Sequence, residues 1–211
     1  MSEDARMNTA QLTCDGRTYE LPIQTDNIGQ RALDIRQLRR DTGLTTFDPG
    51  FANTVSCHSG VSFVDGEAGR LVYRGYAIED LADNCTFIEV AYLLLHDRLP
   101  TRPQLEQFSV LMNRHSMIHE DMRTFFRRYP ERAHPMAVLS AMVVSLSSFY
   151  PEVEQTDEDI DIAATRLLSK LRTIAAFSYK KSIGEPVSQP SHKLSYCANF
   201  LNMMFSSPET D

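Results

Sequence analysis

Hydrophobic and polar positions alternate in short runs near the N-terminus and recur with helical spacing thereafter. Leu12-Thr13-Cys14 and Thr18-Tyr19-Glu20-Leu21 flank Asp15-Gly16-Arg17. Asp-Gly between two alternating runs predicts a β-hairpin, because Gly takes positive φ without steric cost. A second hairpin is expected at about residues 61–74, where Val61-Ser62-Phe63-Val64 and Leu71-Val72-Tyr73-Arg74 bracket a Gly-containing turn. Between them, residues 32–40 carry Ile35 and Leu38 at the spacing of one short helix, which Gly43 is placed to end. After Gly75 the strand signal stops, and from about Ile78 onward the pattern predicts helices and short loops.

The helix starts are well marked. Thr86 with Glu89, and Thr101 with Gln104, are capping boxes, the second with Pro103 in the tolerant first turn. The second box opens a helix with Leu105, Phe108, Leu111 and Met112 on one face. Pro135 opens another, Met136 to Phe149, that is apolar on more than one side. Such a helix is buried from several directions, in a core or at a subunit interface. Ile160 to Ser182 reads as a long helix with Ile162, Ala163, Leu167, Leu171, Ile174 and Phe177 turned inward, and a last helix covers about Leu194 to Phe205. Residues 1–9 read as a loose tail. The expected fold is therefore mainly α: an N-terminal region of tail, β-hairpin and short helix over residues 1–50, then a helical body over residues 51–211.

Charge narrows the function classes. With 21 Lys+Arg against 28 Asp+Glu in 211 residues, the formal net charge is −7. A general nucleic-acid binder needs a basic face to neutralise phosphates, so no nucleic-acid partner is expected. The most apolar stretch, 136–149, is cut by four serines and is shorter than the roughly 20 residues a membrane span needs. Cys14, Cys57, Cys85 and Cys197 form no CxxC pair and match no zinc template, so they read as reduced thiols in a cytoplasmic protein.

Candidate chemistry is sparse. No P-loop, G-x-G-x-x-G or G-x-S-x-G occurs. His115 and His119 lie four apart, which would place them on one helix face before Glu120. The order H-x-x-x-H-E is neither zincin motif, and the plain alternative is a polar helix end. Arg166 and Lys170 are four apart on one predicted helix, a spacing at which two cations can grip a phosphate. The alternative is a solvated face balanced by Asp157, Glu158, Asp159 and Asp161. Nothing assembles a nucleophile, a base and an oxyanion site.

Specific strings add a family resemblance. Asp48-Pro49-Gly50-Phe51 and the run at 53–82, then Arg114-His115-Ser116-Met117-Ile118-His119-Glu120, His134-Pro135-Met136-Ala137-Val138, RLLSKLRTIAA at 166–176, YKKSIGEP at 179–186 and LSYCANFLNMMF at 194–205, resemble bacterial citrate synthases from about Gln11 to Pro208. The hairpin-bearing N-terminal extension is similar to that of the long, hexamer-forming type. The resemblance implies a helical enzyme that condenses acetyl-CoA with oxaloacetate to give citrate and CoA in the tricarboxylic acid cycle. An aspartate would act as base and two histidines as hydrogen-bonding and acid groups, in a site closed to water. It carries none of those catalytic residues, and none of the arginines that hold oxaloacetate, onto this chain. It implies the N-terminal half of such an enzyme, inactive alone. The alternative, from another class, is a non-catalytic regulatory or assembly module.

One constellation does carry over. In NADH-inhibited members a nucleotide site maps onto Arg114, His115, Ser116, Met117, Tyr150, Arg166 and Lys170. Ser116 stands where Thr is usual and keeps the hydroxyl. The family's Lys-Met-Pro reads Lys170-Leu171-Arg172, and a cysteine after Ser-x-Pro reads Glu209, a carboxylate unfavourable beside a phosphate. The resemblance further implies a homo-oligomer with dimer contacts through the Met136–Phe149 helix, in which Val138 and Met142 are expected to meet the neighbouring subunit.

Overall fold

The computed structural model describes residues 8–151 and 156–207. The expected tail (apart from its last two residues), Glu209 and part of the acidic run after Pro151 lie outside the described residues. The chain divides into two compact units, one ending at His58 and one beginning at Ser59, where the sequence pattern places the change at 50/51.

The first unit is a three-stranded antiparallel sheet, β1 (Thr9–Cys14), β2 (Arg17–Thr25) and β3 (Arg31–Leu33), followed by the one-and-a-half-turn helix α1 (Leu38–Thr42). The β1–β2 turn is the expected Asp15-Gly16, with φ of 49° and 75°, the positive values a two-residue hairpin turn requires. The helix expected over 32–40 is corrected. Ala32 and Leu33 are drawn into the sheet, pairing with Gln24 and Ile23. Asp34 then halts the chain: its carboxylate accepts from the Arg36 main-chain N–H and guanidinium and from the Gln24 amide. Helix begins only at Leu38 and ends, as expected, at Gly43, which is left-handed and donates to Arg39 O.

The second unit opens with β4 (Ser62–Asp65), β5 (Arg70–Tyr73) and a short strand missed by the pattern, β6 (Tyr76–Ala77). The Arg74-Gly75 turn, φ 47° and 89°, folds β6 back on β5. The Arg74 guanidinium also donates to Leu94 O, one of the carbonyls that a helix end leaves without a partner. Helices follow: α2 (Ile78–Asn84), α3 (Phe87–His96), α4 (Arg102–Arg114), α5 (Glu120–Arg128), α6 (Pro135–Phe149), α7 (Asp157–Ser182) and α8 (Tyr196–Phe205). Both expected capping boxes form; Thr86 N–H donates to Glu89 Oε2 at 2.7 Å and Thr101 N–H to Gln104 Oε1 at 2.9 Å. A third, Thr156 with Asp159, starts α7 before the expected Ile160. Leu194 belongs to the turn before α8.

Two apolar clusters hold the body. Ile118, Met122, Phe126, Val138, Met142, Leu146, Ile174 and Phe177 join α5, α6 and α7, and Ala91, Tyr92, Phe108 and Met112 join α3 to α4. Val138 and Met142 are 1% and 0% exposed inside the first cluster. The expectation that they face another subunit is therefore overturned, because the i, i+4, i+8 stripe of α6 packs on α7 of the same chain. Met136 and Val144 are the large apolar residues of α6 left open, at 61% and 70%.

The inward face of α7 is also not as the pattern predicts. Leu167 and Leu171 are exposed, whereas Ser169, Lys170, Arg172 and Thr173 are buried among the carbonyls that end α4. Lys180 is fully buried as well, paired with Glu185 and donating to Ser206 O at 2.6 Å, so the end of α7 is tied to the end of α8.

Candidate functional site

The site grows from one exchange of hydrogen bonds. The last four carbonyls of a helix have no partner within it. Those around the end of α4 are taken by polar side chains of α7: Ser169 Oγ donates to Met112 O, Thr173 Oγ1 to Ser116 O at 2.7 Å, and Lys170 Nζ to Met117 O. Arg172 donates to the side-chain oxygen of Asn113 at 3.3 Å and to Tyr196 O at 3.2 Å, with its guanidinium 4.4 Å from the Tyr196 ring centroid. The segment 115–118 is thereby pinned across the middle of α7.

That pinning brings sequence-distant cations together. Arg114 ends α4, His115 is its C-cap, and Arg166 and Lys170 follow one another up α7. Tyr150, the C-cap of α6, supplies a shared ring: the Arg166 guanidinium carbon lies 4.3 Å from its centroid and Lys170 Nζ 5.3 Å. Such cation–ring contacts contribute about 0.5–2 kcal/mol each, more where water is excluded. Lys170 is 3% exposed, and among the described residues neither it nor Arg166 forms an ion pair with a carboxylate. Of the acidic start of α7, Asp161 lies 3.7 Å from His96. Among the described residues, Arg166 Nε is buried without a hydrogen-bond partner.

His115 registers this charge. Burial first, then Arg166, Lys170 and Arg114 in that order, hold its imidazolium below the ordinary histidine range. All three cations thus act on one ring. Arg114 additionally lines a cleft of about 490 Å³ between α3, α4 and α7, with Tyr92, Phe108 and Asp161.

Two of the expected residues do less than their sequence roles imply. Ser116 is 1% exposed and its hydroxyl donates to Asn113 O at 2.7 Å, so it is committed within the chain. Met117 is 45% exposed and offers its side chain, while its carbonyl is held by Lys170. Tyr150, Arg166 and Lys170 are brought together, and His115 feels their charge, whereas Arg114 lines the cleft between α3, α4 and α7. Ser169, Arg172 and Thr173, which position the segment, were missed. Their signal was a polar stripe at i, i+3, i+4 continuing the apolar stripe of Ile174 and Phe177.

His115 and His119 do not share a helix face. His115 caps the end of α4 and His119 the start of α5, where its Nδ1 accepts from Asp121 N–H at 3.2 Å. Among the described residues no group of three or more His, Cys, Asp or Glu is placed to hold a metal ion, and no helix is long and apolar enough to cross a membrane. The four cysteines are free.

Comparison with known proteins places this framework. The family model "Citrate synthase, C-terminal domain" matches residues 50–211. "Citrate synthase 1" of Mycobacterium tuberculosis is 43% identical over 203 residues, 95% of this chain and 47% of the relative. The chain thus spans about half the length of the curated relatives it matches. Among solved structures, citrate synthase from Pyrobaculum aerophilum superposes with a TM-score of 0.65 at 29% identity over 95% of this chain and 48% of that one. The Thermotoga maritima enzyme gives 0.65 at 31% over 76% and 42%. A Thermoplasma acidophilum citrate synthase, solved with carboxymethyl coenzyme A and oxaloacetate, gives 0.72 at 22% and supports the fold alone. A family model covering most of the chain, together with relatives of this identity, establishes that the chain belongs to the citrate synthase family.

Proposed function

We propose that the chain is the N-terminal part of a cytoplasmic citrate synthase of the hexamer-forming bacterial type, the whole enzyme condensing acetyl-CoA with oxaloacetate. The observation that carries this reading is the 43% identity to a curated citrate synthase across 95% of the chain. On this reading the condensing aspartate, the two histidines and the oxaloacetate arginines belong to the remainder of the enzyme. The role of this part is then framework, subunit contact and regulation. Removing a single acid–base or oxyanion group costs about 10²–10⁴ in rate, so the 211-residue chain alone should form no citrate. Citrate formation from acetyl-CoA and oxaloacetate above a no-protein blank would reject that assignment of parts.

The regulatory element is a nucleotide site for NADH built on Arg114, His115, Tyr150, Arg166 and Lys170, with Met117 at its edge. It is supported by two cations, one of them buried, that share an aromatic ring and lack a carboxylate partner among the described residues. A dinucleotide diphosphate would supply the missing negative charge. NADH titration followed by fluorescence tests it: binding that Arg166→Ala weakens at least tenfold supports the site, and unaltered binding in that variant rejects it. The non-catalytic module reading shares this site and differs only in predicting no gain of citrate formation when the chain is co-expressed with the C-terminal half of a relative.

A further inference from the structure

We propose that the cleft between α3, α4 and α7 binds a small zwitterion, a molecule with an ammonium group at one end, a carboxylate at the other and an apolar spacer between them. Tyr150, Arg166 and Lys170 do not line this cleft, so the inference does not rest on the nucleotide reading.

Two neighbouring helices give the cleft its polarity. From α4 come Phe108, Leu111 and Arg114, and from α7 come Glu158, Asp161 and Thr165, each set along one side of its helix. The two helices run in the same direction here. His96 meets both Phe108, with ring centroids 6.2 Å apart, and Asp161, with Nδ1 3.7 Å from Oδ2. Further along both helices, Ser169 Oγ donates to Met112 O. Glu158 and Asp161 therefore stand at one end of the cleft, and Arg114, beyond Met112, at the other. The run from Glu158 to Thr165 is about 10 Å of helix. Between the charged ends the wall is aromatic: Tyr92 and Phe108 meet edge to face at 5.5 Å, and the His96 ring lies against Tyr92 at 4.1 Å. The volume of about 490 Å³ suits a small organic molecule.

The end groups decide the chemistry. Among the described residues, neither the Glu158 carboxylate nor the Arg114 guanidinium has an ion-pair or hydrogen-bond partner. Each sits at the favourable end of its own helix, Glu158 in the first turn of α7 and Arg114 in the last turn of α4, so the empty cleft tolerates both. An ammonium between Glu158 and Asp161 gains charge-assisted hydrogen bonds, and a carboxylate can take two parallel N–H donors from Arg114. A dication would set one of its charges against Arg114, and a dianion would do the same at Glu158. The rings of Tyr92 and Phe108 favour a flat or aliphatic spacer.

The test uses the 211-residue chain and para-aminomethylbenzoate as the probe, with hexamethylenediamine and adipate as controls that carry one sign of charge at both ends. In nitrogen-edited NMR, amide resonances of α4 and of the first half of α7 should shift saturably as the probe is added. The diamine and adipate should both bind more weakly. Glu158→Gln and Arg114→Gln, at exposed positions, should each weaken the probe by about three- to tenfold. Added salt should weaken it as well, because both end contacts are open to screening. Absence of a saturable shift, shifts confined to other elements, controls that match the probe, or a probe affinity unchanged in Glu158→Gln or in Arg114→Gln would each overturn the inference. The probe carries no phosphate, so these outcomes leave the nucleotide reading standing.

Discussion

The Arg166 guanidinium carbon lies over the Tyr150 ring, 4.3 Å from its centroid, joining the first half of α7 to the end of α6. Tyr150→Phe keeps the ring and should leave NADH affinity within about twofold. Tyr150→Ala removes the ring, and loss of a contact worth about 0.5–2 kcal/mol corresponds to roughly 2–30-fold weaker binding. Equal Kd values for the two variants by fluorescence titration would show that the ring does not hold the cations.

Thr173 is 0% exposed and its hydroxyl satisfies Ser116 O. Thr173→Val preserves shape but leaves a buried carbonyl without a partner, at a cost of about 1–3 kcal/mol. Urea unfolding should show a lowered midpoint with an unchanged slope. The same variant should loosen the segment carrying His115, so NADH affinity should fall although Thr173 touches no ligand.

The two faces of α6 should respond oppositely to charge. Val138→Glu and Met142→Glu bury a carboxylate among Ile118, Met122, Phe126, Ile174 and Phe177 and should prevent folding. Met142→Ala should cost about 2–5 kcal/mol. Val144→Glu and Met136→Glu alter open positions and should change stability by no more than about 0.5 kcal/mol. If the outer face of α6 meets another subunit, they should also shift sedimentation toward the monomer. Unchanged sedimentation of a self-associating chain would place its contact elsewhere.

His134 caps α6 with an imidazole nitrogen, Nδ1, that accepts from Met136 N–H at 3.2 Å. Aspartate does the same with a full negative charge at the positive end of the helix. His134→Asp should raise stability by about 0.5–1 kcal/mol at neutral pH. A variant no more stable than the original in thermal unfolding would show that the cap is already saturated by its geometry.

Acid should expose His115. Its pKa is depressed in the folded chain, so between that depressed value and about 6.5 the unfolded chain binds more protons than the folded one. Stability therefore rises with pH through that window. The destabilisation is absent above the unfolded value and reaches its full size below the depressed one. His115→Asn should flatten this part of the stability–pH curve, measured without nucleotide. An unchanged slope would assign it to another histidine.

Local rules were sufficient wherever one segment answers to itself. Asp15-Gly16 and the second hairpin, the boxes at Thr86 and Thr101, Pro135 and Gly43 were all legible, because turn chemistry and capping are settled within a few residues. The mainly helical class and the family followed from periodicity and from strings preserved in order. Tertiary structure decided what depends on a partner far along the chain. Ala32 and Leu33 became strand because β2 offered a free edge. Val138 and Met142 turned inward because α7 of the same chain was there to receive them. The polar stripe of α7 was buried, against its composition, because the end of α4 presents carbonyls that only side-chain donors can satisfy in the absence of water. Arg166 and Lys170 could be named from the sequence, but their meeting with Tyr150 and with the segment after α4 required the packing of α4 and α6 on α7, which no local pattern encodes.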